Sequence, residues 1–197
     1  MAAKTAVRAN ELEFKPVSND LWADLEKLFG KHGAYSGCWC MWWRIKRSEF
    51  TKQHGDGNKK ALKKIVDSGD VPGILAYYQG RPVAWCSVAP RDRFTVLDRS
   101  PKLKRVDDKP VWSIVCFFFE KTFRGLGMTR IMIDAAIDYA GQQGAKIIEA
   151  YPLDKKHSKH TALEAFTGFA STFKKAGFSE VIRRSAIRPI LRYYIEG

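Results

Sequence analysis

The sequence predicts an α/β fold of the α+β kind, a mixed β-sheet with helices packed on its faces. Three observations carry this. Short apolar runs alternate with stretches whose apolar residues recur at helical spacing. The chain of 197 residues is 45% hydrophobic, enough to fill the core of one domain, read here as residues 1–197. The run "VWSIVCFFF" (111–119) has no polar alternation, as expected of a central strand covered on both faces.

The elements follow in order. "LEFKPVS" (12–18) alternates and ends at a turn, which suits a strand. Asn19 and Asp20 are candidate caps for a helix in which Leu21, Trp22, Leu25, Leu28 and Phe29 recur at helical spacing, closed by Gly30 and Gly33. "AYSGCWCMWWRIKRSEF" (34–50) is dense in aromatics and sulfur and shows no period. "NKKALKKIVDSGD" reads as a short helix capped by Asn58, with Ala61, Leu62, Ile65 and Val66 inward. "GILAYYQGRPVAWCSVAP" reads as a hairpin with Gly80 and Pro82 in its turn. The charged stretch 91–110 reads as a solvated excursion. After the central strand, Met128, Ile131, Met132, Ala135, Ala136, Tyr139 and Ala140 form one inward helical stripe. "AKIIEAYPLD" (145–154) is a strand ended by Pro152, "FASTFKKAGF" (169–178) a helix stopped at Gly177, and "EVIRRSAIRPILRYYI" two closing strands.

Composition excludes several classes. No apolar stretch reaches the roughly 18 residues that span a bilayer, and no signal-type run opens the chain. A soluble cytoplasmic protein without membrane partners is expected. Four cysteines are too few for a disulfide scaffold. Cys86 and Cys116 read as core thiols, and Cys38 and Cys40 lack a second pair at zinc spacing, so no metal is expected. The net charge of +13 is spread along the chain and suits anionic partners of many kinds. The interleaved Asp92, Asp98, Asp107 and Asp108, and the lack of any recognition motif, argue against nucleic acid.

The most informative feature is "RGLGMT" (124–129), between the central strand and the amphipathic helix. A helix N-terminus has unpaired N–H groups and the positive end of the dipole, and glycine lets an anion approach the backbone. Arg124 adds a positive charge. A Walker A loop fails for want of Lys-Ser/Thr after the glycines. A dinucleotide fingerprint fails because Arg130 stands at the third glycine.

The loop instead resembles the R-x-x-G-x-[GA] loop of the GNAT acyltransferases, through Arg124 and Gly127, with Thr129 departing from the small last residue. The element order is similar too, and "FKKAGF" resembles that family's Y-x-x-x-G-F. The resemblance implies a GNAT-like fold whose strands near 112–119 and 146–151 splay apart. It implies coenzyme A or acetyl-CoA as co-substrate, with no metal. Phe117, Phe118 and Phe119 would lie along the pantetheine arm, and Arg124, Gly125, Leu126, Gly127, Met128 and Thr129 would hold the pyrophosphate. The implied reaction is direct attack of a primary amine, on a small molecule or peptide, on the thioester in a ternary complex. Pairing into a homodimer is also known in that family.

Two departures stand out. The family's thiolate acid is a tyrosine four residues before the Gly-Phe, where this chain has Phe173, and "VWSIV" holds no glutamate base. Tyr151 and Glu120 become the candidate catalytic residues, with Cys116, His157 and His160 weighed behind them. Tyr35, Cys38, Trp39, Trp42 and Trp43 form the candidate acceptor site, either as an aromatic wall or as a satellite core. A coenzyme-A-binding module without turnover is the alternative reading, and a basic nucleic-acid-binding protein the third.

Overall fold

The structure is a computed structural model that describes residues 7–154 and 164–196. The His157 and His160 candidates lie outside the described residues. Seven strands form one sheet in the order β1-β2-β3-β4-β5-β7-β6. They are β1 (Leu12–Pro16), β2 (Ile74–Tyr78), β3 (Arg81–Pro90), β4 (Trp112–Phe119), β5 (Ile147–Ala150), β6 (Ser179–Ile182) and β7 (Ile190–Tyr194). All neighbours are antiparallel except β4 and β5. The helices are α1 (Trp22–Phe29), α2 (Arg47–Lys52), α3 (Asp56–Asp67), α4 (Thr95–Arg99), α5 (Met128–Gln142) and α6 (Ala170–Lys175).

Alternating side chains divide the core into two clusters, one on each face of the sheet. On one face Ile114, Phe117 and Ile148 meet Met132, Ala136 and Phe173 of α5 and α6. On the other Val115, Cys116 and Trp85 meet Leu25 and Phe29 of α1 and the segment 39–43. Ile133 is also buried in α5, so its apolar face is wider than the stripe read from spacing.

Several local expectations are corrected. The hairpin turn is Gln79–Gly80, both at positive φ (50° and 71°), as a type I′ turn requires. Pro82 stands inside β3 opposite Tyr77, where the register slips and a missing N–H is tolerated. Asn19 and Asp20 do not cap α1, and Asn19 Oδ1 instead accepts from Lys63 Nζ at 2.9 Å. Asn58 lies within α3, fully buried, and its Nδ2 donates to the Gly37 carbonyl at 3.0 Å. That bond ties the aromatic segment to the helix.

The stretch 91–110 is a solvated excursion only in part. Arg91, Phe94, Leu97 and Leu103 are buried. Arg91 donates to Asp98 Oδ1 at 2.7 Å and to the Leu103 carbonyl at 2.8 Å. Asp107 receives both terminal nitrogens of Arg192, at 2.7 and 2.8 Å. Two of the acids that break up its positive charge, Asp98 and Asp107, are partners of buried arginines, a role invisible to linear spacing.

Candidate active site

The site begins with an irregularity in β4. Its ladder to β3 slips between Ser87 and Val88, so Val115 is an extra residue between Ile114 and Cys116. A bulge of this kind breaks the strict alternation of side chains. Val115 and Cys116 therefore both join the α1-side cluster, while Ile114 and Phe117 join the α5-side cluster.

The ladder between β4 and β5 is short. It holds Trp112↔Ile148, Ser113↔Glu149 and Ile114↔Ala150, then stops. Residues 115–119 of β4 have no β5 partner. The reason lies in the end of β5. The Tyr151 carbonyl accepts from Arg188 Nη1, and Pro152 has no N–H to offer a ladder. The two parallel strands diverge there, so the backbone edge of β4 from Cys116 to Phe119 has no strand partner on that side, and the turn Glu164–Thr167 packs beside it.

At the far end of that edge stands the glycine turn. Gly125 and Gly127 have φ of 80° and 81°, and Gly127 is the N-cap of the 15-residue α5. A side chain at either glycine would meet nothing within 4 Å, so open space lies before the helix. No side chain caps this end and no acid stands in its first turn. The positive end of a long helix is thus left for an anion. Arg124 folds back, with Nε donating to the Phe119 carbonyl at 3.1 Å and its guanidinium 5.8 Å from the Phe118 ring. Met128 is buried, and Leu126 packs partly on the core, so backbone is what these two offer.

On the α1 side of β4 lies a cavity of about 420 Å³. Cys116, Phe117 and Phe118 line it, together with Tyr35, Cys38, Trp42 and Trp43. Tyr35 is 54% exposed and stands at its rim. Six lining residues were not among the named candidates: Ala34, Ser36, Cys40, Phe50, His54 and Phe166. Cys40 was already in view beside Cys38, but nothing in the pattern of 50–54 marked Phe50 and His54. Trp39 is placed elsewhere. It stacks on Trp22 at 6.1 Å and meets Phe29 edge-on at 5.5 Å, a packing role.

Two thiols at the cavity, Cys38 and Cys40, are held protonated. Cys40 Sγ is 3.4 Å from Cys116 Sγ and receives Trp85 Nε1 at 3.1 Å. The Cys116 contact, then burial, pushes the Cys40 thiol well up, and the Cys40 contact with burial does the same to Cys38. Such thiols are poor nucleophiles.

Of the candidate proton carriers, Tyr151 is 1% exposed and does not line the cavity. Its hydroxyl donates to Glu149 Oε2 at 2.7 Å and lies 3.0 Å from Ser113 Oγ. Burial, and then the Glu149 charge, push the phenol well above its ordinary range. Glu149 is itself bound to Arg192 at 2.8 Å and lies 3.5 Å from Arg91 Nε. Glu120 follows β4 at the glycine-turn end and its amide pairs with the Val83 carbonyl, so it is separated from the bulge by the length of the strand's second half. Phe173 is fully buried against Phe117 and Phe178 and offers no proton.

A sequence profile of the acetyltransferase (GNAT) family matches residues 39–169. The chain belongs to the GNAT acetyltransferase family. The matched span of this GNAT chain runs through the aromatic cavity segment, β4, the glycine turn, α5 and β5. Among solved structures it is similar to the PaiA N-acetyltransferase of Thermoplasma acidophilum in complex with coenzyme A, at 10% identity and a TM-score of 0.52, covering 93% of this chain and 99% of that one. A GNAT acetyltransferase of Streptococcus agalactiae matches at 11% identity and a TM-score of 0.56, covering 94% and 96%. An agmatine N-acetyltransferase matches at 10% identity and a TM-score of 0.53, covering 94% and 100%. At these identities the likeness is one of fold. No curated protein matches the sequence significantly. Among the described residues no helix is long and apolar enough to cross a membrane, and no cluster of metal-ligating side chains is found.

Proposed function

We propose that this GNAT chain is an acetyl-CoA-dependent N-acetyltransferase acting on a primary amine of a small molecule or peptide. The observation that carries the reading is the alignment of three features along one strand. The unpartnered edge of β4 runs from the cavity at Cys116 to the open helix N-terminus at Gly127. A long ligand with an anionic end suits that track. Coenzyme A has this shape, and it is present in the similar Thermoplasma structure.

The fit is specific to residues. Backbone groups of Gly125 to Thr129 would hold the pyrophosphate, aided by Arg124, and the edge of Phe117 to Phe119 would pair with the pantetheine. Acetyl-CoA, when bound, supplies the acyl group as a thioester. The acceptor amine enters from the cavity, its nitrogen bonds the acyl carbon, and the carbon–sulfur bond breaks with the electron pair leaving on sulfur. The nitrogen gives up one proton and the sulfur takes one. His54 is the imidazole among the cavity-lining residues and is exposed at the rim, where a proton passes to water. Holding the amine and thioester together supplies much of the acceleration without a dedicated acid.

A second reading is a coenzyme-A-binding module without turnover. It is favoured by Phe173 at the usual acid position and by the commitment of Tyr151 to Glu149. Calorimetry with acetyl-CoA and with free coenzyme A at physiological salt tests both. Micromolar binding is expected, and its absence overturns both readings. Release of free thiol that accelerates with added amine then selects transfer over mere binding.

A further inference from the structure

We infer that the acceptor is a neutral-entering monoamine with an apolar aromatic body, an arylalkylamine rather than a polyamine. The inference rests on the acyltransfer reading above and names its substrate class.

The cavity beside the β4 bulge holds about 420 Å³, enough for a small ring system with a short arm. Its walls are rings: Trp42, Trp43, Phe50, Phe118 and Phe166. Among the described residues, no aspartate or glutamate lines it. Alkyl ammonium groups are protonated in water, but an apolar wall without a carboxylate favours the uncharged form. That is the form with a lone pair for attack. A second ammonium on the same substrate would be buried with no counter-charge, which is costly.

Aromatic faces can stand in for a carboxylate by holding a cation. Here that option is already used at Trp42. The Arg47 guanidinium carbon lies 3.0 Å from the Trp42 ring centroid. Arg47 thus places a positive charge against one wall of the cavity, which repels a dication further.

The test is steady-state acetyl transfer with phenethylamine, tyramine, agmatine and spermidine as acceptors, each read as kcat/KM. The arylalkylamines are expected to exceed spermidine and agmatine at least tenfold. Ser36→Asp places a carboxylate in the lining. The site has φ of 45°, which aspartate tolerates, and the change should swing preference toward agmatine. Equal or better turnover of the two polycations by the parent overturns the inference. So does binding of acetyl-CoA with no turnover of either arylalkylamine. Loss of acetyl-CoA binding itself would instead overturn the acyltransfer reading beneath it.

Discussion

Replacing Glu149 with glutamine should destabilise the protein more than any exposed charge change. Glu149 is 1% exposed and its carboxylate holds two buried arginines, Arg192 at 3% and Arg91 at 2%. It also accepts the Tyr151 hydroxyl at 2.7 Å and Arg192 Nε at 2.9 Å. Glutamine keeps the shape, but its amide nitrogen must face a donor. For counter-charge the two guanidinium groups then rely on Asp98 and Asp107. Breaking a buried pair by removing one partner costs about 3–5 kcal/mol, since the other charge stays buried. For a chain of this length that is a fall in Tm of roughly 6–20 °C. Urea unfolding of Glu149→Gln, followed by circular dichroism, measures it. The double variant with Arg192→Met should recover part of the loss, because the stranded charge is gone and Asp107 is partly solvated. A loss below about 1 kcal/mol, or a double variant worse than the sum of its parts, would refute the account of the network as a mutually dependent buried pair.

Further expectations follow from the same geometry. Gly127→Val should lower coenzyme A affinity at least tenfold by calorimetry, because valine strains a φ of 81° and fills the open space before α5; unchanged affinity would remove the turn from the cofactor site. Tyr151→Phe should cost about 1 kcal/mol of stability through the lost bond to Glu149 and leave kcat within about twofold; a tenfold fall in kcat at unchanged cofactor affinity would make Tyr151 the acid after all. Asp107 is held down at about 2 by its bonds to Arg192, against an ordinary 3.8. A depressed carboxyl stabilises the fold above its ordinary value and loses that contribution as pH falls through the folded one. Asp107→Asn should therefore lose less stability than the parent between about pH 4 and 2, and parallel acid titrations would contradict the pairing.

What the sequence made legible was whatever depends on local chain chemistry. The apolar run of β4, the helical stripe of α5 and the glycine turn between them each follow from spacing and residue type, and they stand where expected. So do the sheet's closing strands, while the splayed pair stands where the family resemblance implied it. What stayed hidden depends on distant partners. Asp98 and Asp107 read as solvating charges, yet they meet arginines buried under the sheet, and Asp107 is 85 residues from its partner. The bulge at Val115 has no signature in a stretch of uniformly apolar residues, because any of them fits either face. His54 is held beside the aromatic segment by bonds that no spacing reveals, since the Gly55 amide and Asn58 Nδ2 both donate to the Gly37 carbonyl.

The gap between β4 and β5 can be traced to particular atoms. The last cross-strand pairs are held rigidly, since Ser113 on β4 and Glu149 on β5 share the Tyr151 hydroxyl. One residue later the strand loses its means of pairing. The Tyr151 carbonyl turns to Arg188, and Pro152 has no amide. On the other strand, the extra residue at Val115 shifts Cys116 onto the cavity face just where the ladder ends. A firm clamp beside an abrupt stop makes a gap of fixed width, which a hinge of loosely paired residues would not. In this reading Tyr151 serves the reaction through position: it locks the strands on one side of the point at which they part. The buried Glu149 network then matters to function because it anchors that clamp, and coenzyme A affinity should fall with stability in Glu149→Gln but not in Asp107→Asn, which leaves the clamp itself intact.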